Sequence, residues 1–308
     1  MPEALATEAA HSAEAAPRSA GLAAALGAAR DRGTYVRRGA LFLVVLGYLV
    51  AVLVLPLVAL VDQVLETGAG RAIESLLTPT ALHALAISFS LVAISVVVNA
   101  VVGTCGAIAI VRHDFPGRLA IDALADLPLA VSPVMIGLAF LLLVGRTGVL
   151  APVLSSLDLQ IAFAYPALVV ATLFVTLPFT LREAVYLLEQ LGTSEEEAAT
   201  TLGASPAQVF WHVTLPNLRP ALGYGLLMTV ARSLGEFGAV LVLGGSIGGR
   251  TQTATTFIHD MIEERMPSSA YGMAILLSLF SVILMMALDR AKQRRKAETD
   301  AHRSTTSE

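Results

Sequence analysis

Residues 41–61 read LFLVVLGYLVAVLVLPLVALV, an apolar run of 21 residues without a charged side chain. An α-helix rises about 1.5 Å per residue, so a run of this length crosses a hydrocarbon core of about 30 Å. The strands of a membrane barrel are about ten residues long and alternate in polarity, which this run does not do. The stretch therefore predicts a membrane-spanning helix.

The rest of the chain has the composition of a membrane protein. Of the 308 residues, 56% are hydrophobic and 14% are charged, and the mean hydropathy is +0.73, whereas soluble domains carry about 25% charged residues. We therefore predict an all-α, polytopic membrane protein with six transmembrane helices. The stretches long and apolar enough to span a bilayer are 40–61, 84–111, 127–144, 161–181, 221–243 and 270–288.

Charge and residue usage exclude several classes of function. With a net charge of -4, the chain has no basic field to attract nucleic acid. Cys105 is the only cysteine, so an intrachain disulfide and a cysteine-based metal cluster are excluded, and we expect neither metal nor cofactor. A Walker-type phosphate loop needs a Gly-Lys pair, but the only lysines, Lys292 and Lys296, do not follow glycine. Any nucleotide energy would therefore come from another chain, and this chain is not expected to be an enzyme.

The basic residues predict the orientation. Fifteen of the 20 Lys and Arg residues lie before the first stretch, after the last one, or in the second and fourth connections, against four on the other side. Because positive residues are retained in the cytoplasm, both termini are predicted to be cytoplasmic. We divide the chain into a mobile alanine-rich cytoplasmic extension, 1–39, a six-helix transmembrane domain, 40–290, and a charged cytoplasmic tail, 291–308.

The fourth connection contains the segment 194–220, SEEEAATTLGASPAQVFWHVTLPNLRP. Ser194 followed by Glu197 is the pattern of a capping box at a helix start. Gly203 suits the left-handed residue that ends a helix. The segment therefore predicts a short first helix followed by a glycine corner.

A second helix is predicted directly after this corner. Ser205 and Gln208 form another capping pattern, and Pro216 is expected to limit the far end of the helix. The apolar edge of this helix lies next to Trp211, and two interpretations stay open: docking into a groove of a partner, or lying at the lipid headgroups with Trp211 as an anchor. The apolar edge consists of Val209, Phe210 and Val213.

The spacing of one residue set in this segment resembles the EAA loop of permease subunits in ATP-binding-cassette (ABC) importers. The resemblance implies a type I, MetI-like architecture, with the coupling loop, 194–216, seated in a cleft of a cytoplasmic ATPase. It favours docking over an interfacial helix. The residues that carry the pattern, and that are implied in coupling, are Glu197, Ala198, Ala199, Gly203, Val213, Leu215 and Pro216.

Two further segments resemble oxyanion permeases over about 40–290. They are 124–137, LADLPLAVSPVMIG, and 231–253, ARSLGEFGAVLVLGGSIGGRTQT. The resemblance is to sulfate/thiosulfate permease subunits of the CysW type, with molybdate/tungstate permeases as the alternative, because 253–256 reads TATT where the sulfate type often reads TLPL. It implies a cell inner-membrane location and four partner chains: a second, related but different permease, two cytoplasmic ATPase subunits and an extracytoplasmic sulfate-binding protein.

Polar residues inside the predicted spans are candidates for a translocation pathway. Arg232 and Glu236 are four residues apart and can pair on one helix face; since a charge facing lipid is costly, both are predicted to point inward. Ser132 lies between Pro128 and Pro133, which predict a kink. For each feature, pathway lining and simple helix packing stay open.

Other polar residues are given structural roles. Asp122 and Asp126 are expected in the headgroup region beside Arg118. Asn99 and Thr104 are expected to form hydrogen bonds between helices rather than to bind a substrate.

Two functions of other classes are considered. The segment 244–248 matches the G-x-S-x-G pattern of serine hydrolases and His259 and Asp260 follow, but that pattern requires a strand-to-helix turn, which a loop after a membrane helix does not offer. A secondary transporter would carry internal repeats, and none is evident. Both are weaker alternatives than an importer permease.

Overall fold

The computed structural model describes residue 39 and residues 41–305. The predicted extension 1–39 lies outside these residues except for its last position. The described part of the chain contains helices and connections but no strand. In chain order the helices are α1 (Leu41–Thr67), α2 (Ala69–Leu76), α3 (Pro79–Arg112), α4 (Arg118–Ala130), α5 (Pro133–Val144), α6 (Ala151–Ser156), α7 (Tyr165–Leu191), α8 (Ser194–Thr201), α9 (Pro206–Leu234), α10 (Gly238–Gly244), α11 (Ala254–Glu263) and α12 (Pro267–Thr305).

The chain divides into two compact units, Met1–Asp62 and Gln63–Glu308. Most of α1 belongs to the first unit and exposes its apolar side chains. The helices from α2 onward belong to the second unit. Residues 50–54 of α1 and 210–214 of α9 form π-helical turns.

The long helices correspond to the predicted spans in two ways. Four are long and apolar enough to cross a membrane without interruption: α1, α3, α7 and the Pro267–Ala287 part of α12. The other two candidates are bent pairs, with an angle of 118° between α4 and α5 and of 55° between α9 and α10. Six spans result when each pair counts as one, so the predicted stretches 127–144 and 221–243 are interrupted helices.

Pro133 explains the break between α4 and α5. Val131 and Ser132 are both extended, with ψ values of 140° and 137°. Pro133 disfavours the helical conformation of the residue before it but fits the first position of a new helix. The predicted kink at Ser132 is confirmed.

Helices α3, α7 and α9 pack together at the centre of the second unit. The Asn99 amide nitrogen donates to Oγ1 of Thr176 at 2.8 Å, and the hydroxyls of Thr180 and Thr229 lie 3.0 Å apart. The prediction for Asn99 is therefore confirmed, whereas the Thr104 hydroxyl bonds to a carbonyl of its own helix. Small buried residues let these helices approach closely.

Two further apolar clusters hold the short helices. One joins α5, α7 and α10; the other joins α3, α11 and α12. The first consists of Ile136, Ala167, Ala171, Val175, Ala239 and Leu243, and the second of Ala81, Ala84, Ala254, Phe257 and Met273.

The last helix continues beyond the predicted span. The stretch 270–288 lies within α12, which runs unbroken to Thr305. The predicted tail, 291–308, thus begins as a continuation of the last transmembrane helix.

The contact between α7 and α9 depends on Gly225. A Cβ atom at this position would lie 2.8 Å from Cα of Thr180 and 3.0 Å from the carbonyl oxygen of Phe179. Two residues earlier, Gly223 has no such neighbour within 4 Å. The missing side chain of Gly225 therefore sets the distance between the two helices.

We expect Gly225→Ala and Gly223→Ala to shift stability in opposite directions. The first overpacks backbone against backbone and should cost about 1–3 kcal/mol. The second adds helix propensity in open space and should gain up to about 1 kcal/mol. Thermal unfolding of the purified chain in detergent measures both, and equal shifts would contradict this account of the α7–α9 contact.

Candidate functional site

The segment 194–216, here called the elbow, contains α8 and the first part of α9. Helix α8 starts one residue earlier than the capping pattern predicted, because Thr193 is the N-cap and Ser194 is already helical. The Thr193 hydroxyl donates to Oε1 of Glu197 at 2.6 Å. The predicted Ser194 cap is therefore wrong, and Glu197 bonds to the side chain of Thr193.

The corner and the second helix start form as predicted. Gly203 has a φ of +89°, a left-handed conformation that favours glycine. Ser205 and Gln208 form a reciprocal capping box, in which the Ser205 amide donates to Oε1 of Gln208 at 2.8 Å. The elbow is thus a helix, a glycine corner and a second helix.

The second helix does not end at Pro216, contrary to the prediction. A π-helical turn covers Phe210–Thr214, and the amide of Leu215 donates to the carbonyl of Phe210. Pro216 then lies in the first turn of the α-helical segment that follows, where the lack of a donor costs little. As a result α9 runs continuously from the elbow to Leu234.

The seven residues of the EAA-like pattern divide into two groups. Glu197, Ala198 and Gly203 are exposed, whereas the other four are half-buried. Next to the exposed group, Leu202 and Trp211 are 88% and 61% exposed. The half-buried residues are Ala199, Val213, Leu215 and Pro216.

Two glutamates, which the sequence predicted only to place negative charge at the helix start, bond the elbow to neighbouring helices. Oε2 of Glu196 accepts from Nε of Arg112, the last residue of α3, at 2.9 Å, and its Oε1 accepts from the Thr214 hydroxyl at 2.8 Å. Glu195 accepts from the amide of Asn217 at 2.6 Å. Because 195–197 are three consecutive glutamates, the sequence did not indicate which of them bonds to neighbouring helices.

The predicted ion pair inside the fifth span is present. Nη2 of Arg232 lies 2.7 Å from Oε2 of Glu236, and the side chains are 28% and 1% exposed. The other oxygen of Glu236 accepts from the amide of Ala239, at the start of α10, at 3.0 Å. The hydroxyl of Thr255 donates to the backbone carbonyl of Glu236 at 2.7 Å. Glu236 therefore holds the break between α9 and α10 and ties it to α11.

Two serine hydroxyls lie near the breaks without such a role. Ser132 is exposed at the N-cap position of α5, and its side chain does not cap the helix. The hydroxyl of Ser233 is buried with no hydrogen-bond partner. Ser132 lies in the segment 124–137 and Ser233 in the segment 231–253, both of which resemble oxyanion permeases.

Asp122 lies one helical turn after Arg118 on α4, as predicted, but the two aspartates do not pair with that arginine. Instead they accept hydrogen bonds from Arg182 of α7 at 2.5 and 2.6 Å. Arg118 pairs with Asp114. The two aspartates therefore fasten α4 to α7.

The G-x-S-x-G segment does not form a hydrolase site. The Ser246 hydroxyl donates to Oδ2 of Asp260 at 2.5 Å, and the Gln252 amide donates to the same oxygen at 2.5 Å. The His259 ring lies against Phe237 instead. Ser246 bonds directly to a carboxylate, whereas a nucleophilic serine bonds to a histidine base.

The threonines at 253–256, where the sequence departs from the sulfate-permease pattern, have structural roles. Thr253 and Thr256 form the capping box of α11, and Thr255 bonds to Glu236.

Among the described residues no group of three or more His, Cys, Asp or Glu could hold a metal ion.

Relatives of known name match most of the chain. It is 41% identical over 247 residues to the sulfate transport system permease protein CysW of Synechocystis sp., covering 80% of this chain and 90% of that protein. It is 33% identical over 243 residues to the sulfate transport system permease protein CysT of Escherichia coli, covering 79% and 88%.

One solved structure shares the fold of this chain, and one protein family matches much of its sequence. A chain in the crystal structure of a bacterial alginate ABC transporter in complex with an alginate pentasaccharide-bound periplasmic protein superposes with a TM-score of 0.71, covering 86% of this chain and 96% of that chain at 16% identity. This likeness shows the fold alone. Residues 100–297 match the family described as binding-protein-dependent transport system inner membrane component. The chain therefore belongs to this family of multi-pass membrane permease subunits, which are not enzymes themselves.

Proposed function

We propose that this chain is the transmembrane permease subunit of an ATP-driven ABC importer for sulfate and thiosulfate. The observation that carries the proposal is the 41% identity to a sulfate transport system permease protein over 90% of its length. Molybdate or tungstate import by the same class of protein remains the alternative substrate, because 253–256 departs from the sulfate pattern.

The elbow is proposed to be the coupling surface for a cytoplasmic ATPase. Its exposed side combines Glu197, Ala198 and Gly203 with the apolar side chains of Leu202 and Trp211. Exposed large apolar side chains around a small residue fit a groove in a partner protein. If the elbow docks on a cytoplasmic ATPase, the elbow end of the bundle is cytoplasmic. With six spans, both termini then lie on the same side.

The partners follow from this assignment. Two ATPase subunits supply the nucleotide energy, and an extracytoplasmic sulfate-binding protein delivers the anion. The second permease is proposed to be a related but different chain of the CysT type, because this chain resembles CysW more than CysT, at 41% against 33% identity.

The domain organisation is proposed to follow the sequence. Residues 40–290 form the permease domain in the cell inner membrane, flanked by cytoplasmic segments at 1–39 and 291–308. A continuous α12 supports a cytoplasmic tail that starts in helical register with the last span.

The translocation pathway is proposed to pass the two helix breaks, near Ser132, Arg232 and Glu236. Breaks in membrane helices are tolerated where they face protein or a wet cavity. Arg232 is more exposed than Glu236, so its guanidinium is the cationic group available to a passing dianion. Glu236 positions it.

The substrate is tested on the complex isolated from its own membranes through a tag on this chain. We expect mass spectrometry to find a second permease, an ATPase and a binding protein loaded with sulfate. In proteoliposomes, sulfate uptake should require ATP hydrolysis and the binding protein, with thiosulfate but not molybdate competing. Uptake without the ATPase would indicate a secondary transporter, and preferential molybdate uptake would overturn the substrate.

Gly203→Asp tests docking of the elbow. We expect it to abolish ATP-driven uptake while membrane insertion stays intact, because an added charged side chain prevents the corner from seating. Gly117→Asp is the matched control: Gly117 has a φ of +91° and open space around it, as Gly203 has at +89°, so backbone strain is equal. Uptake at the wild-type rate in Gly203→Asp, or equal loss in both variants, would contradict docking.

Arg232→Ala tests the pathway. We expect reduced assembly, because Glu236 is left buried and unpaired, at a cost of about 3–5 kcal/mol. Adding Glu236→Gln should restore assembly, since a neutral amide oxygen can still accept from Ala239. If the assembled double variant imports sulfate at the wild-type rate, the pair only packs the bundle; a fall in sulfate uptake is the expected result.

A further inference from the structure

Arg112 connects three helices through its guanidinium group. Its Nε donates to Oε2 of Glu196, in the first turn of α8, at 2.9 Å. Nη1 and Nη2 donate to the carbonyl oxygens of Leu188 and Gly192, at 3.3 and 2.5 Å. One side chain at the end of α3 thus contacts the end of α7 and the start of α8.

The electrostatics of this arrangement require a cation. The last carbonyl groups of α7 carry the negative end of its dipole, and the Leu188 carbonyl, which also accepts from the Gly192 amide at 3.3 Å, is one of them. Glu196 adds a full negative charge beside them. Arg112 neutralises both, and a planar guanidinium can bond in three directions where an ammonium group cannot hold the same geometry.

Glu196 extends the connection to the second helix of the elbow. Its other oxygen accepts from Thr214, in the π-helical turn of α9. Arg112 and Glu196 are 13% and 21% exposed, so water screens this pair less than a surface ion pair. By contrast, Asp114 of the exposed Asp114–Arg118 pair is 97% exposed.

The elbow is not packed solidly against the end of α3. An open pocket of about 710 Å³ lies between them, lined by Arg112 and Glu196 together with Ile108, Ala204 and Phe210. Apolar packing therefore leaves a gap at this point. The polar contacts of Arg112 bridge it.

We propose that Arg112 is the positioning residue that makes the elbow move as one body with α3 and α7. The inference rests on the proposed coupling function of the elbow. When a partner pushes on the exposed corner, the force reaches α3 and the end of α7 through the Arg112–Glu196 contact. It reaches α9 directly through the continuous helix. Loss of Arg112 leaves the corner able to dock but unable to carry α3 with it.

The test uses the assembled complex with three variants of this chain. Arg112→Gln removes the cation, and Arg112→Gln/Glu196→Gln also removes the charge that would be left unpaired, which should restore assembly. Arg112→Lys keeps the charge but not the three-way geometry. The control is Arg118→Gln, which removes the same residue type from an exposed pair in the neighbouring connection.

The readouts separate positioning from stability. We expect the double variant to assemble and to hydrolyse ATP on addition of the loaded binding protein, but to import less sulfate per ATP than the wild type, because the elbow no longer carries α3 with it. Arg112→Lys should be intermediate. Hydrogen exchange of the amides at 194–204, without nucleotide, should be faster in the double variant and unchanged in Arg118→Gln.

The outcomes also distinguish this inference from the function on which it rests. A double variant that assembles and imports sulfate with the wild-type stoichiometry overturns the role of Arg112, provided that Gly203→Asp is uncoupled in the same assay. If Gly203→Asp is coupled normally, the elbow is not the docking surface and its proposed coupling role, on which this inference rests, fails. Unchanged hydrogen exchange at 194–204 would likewise contradict positioning by Arg112.

Discussion

The constraint on which the described fold depends is that backbone amides and carbonyls inside a bilayer must find partners within the protein. Unbroken helices such as α3 and α7 meet it by themselves. The break between α9 and α10 meets it with the buried carboxylate of Glu236, which accepts from Ala239, and with Thr255, which donates to the Glu236 carbonyl. The Arg232–Glu236 pair therefore allows a membrane helix to be interrupted, because the paired carboxylate satisfies a backbone amide at the break.

The same physics connects the helix ends near the elbow. Arg182 binds Asp122 and Asp126 and so fastens α4 to α7, while Arg112 joins α3 to the end of α7 and to the elbow. Arg112 is the last residue of α3 and Arg182 lies within α7, and the sequence predicts both on the same side of the membrane. Two of the basic residues from which the orientation was predicted thus also connect neighbouring helices.

The elbow shows how far a local pattern predicts local structure. The Ser205–Gln208 cap and the left-handed Gly203 were predicted correctly because both depend on neighbours within four residues. The first cap was predicted one residue late, at Ser194 instead of Thr193, and the Thr193 hydroxyl donates to Glu197 rather than capping the helix. Pro216 was predicted to end the helix, but the helix continues. The π-helical turn before it places Pro216 in the first turn of the next α-helical segment, where its missing N–H group costs little.

By itself, the sequence determined the fold class, the number of apolar stretches, the proline kink at Ser132 and the pairing of Arg232 with Glu236, because hydropathy, proline chemistry and four-residue helical spacing act over short distances. Only the tertiary structure decided which acid meets which base: Arg112 with Glu196, and Arg182 rather than Arg118 with Asp122 and Asp126. These partners lie 56 to 84 residues apart in the chain. Their contact depends on the packing of α3, α4 and α7, which no local pattern encodes.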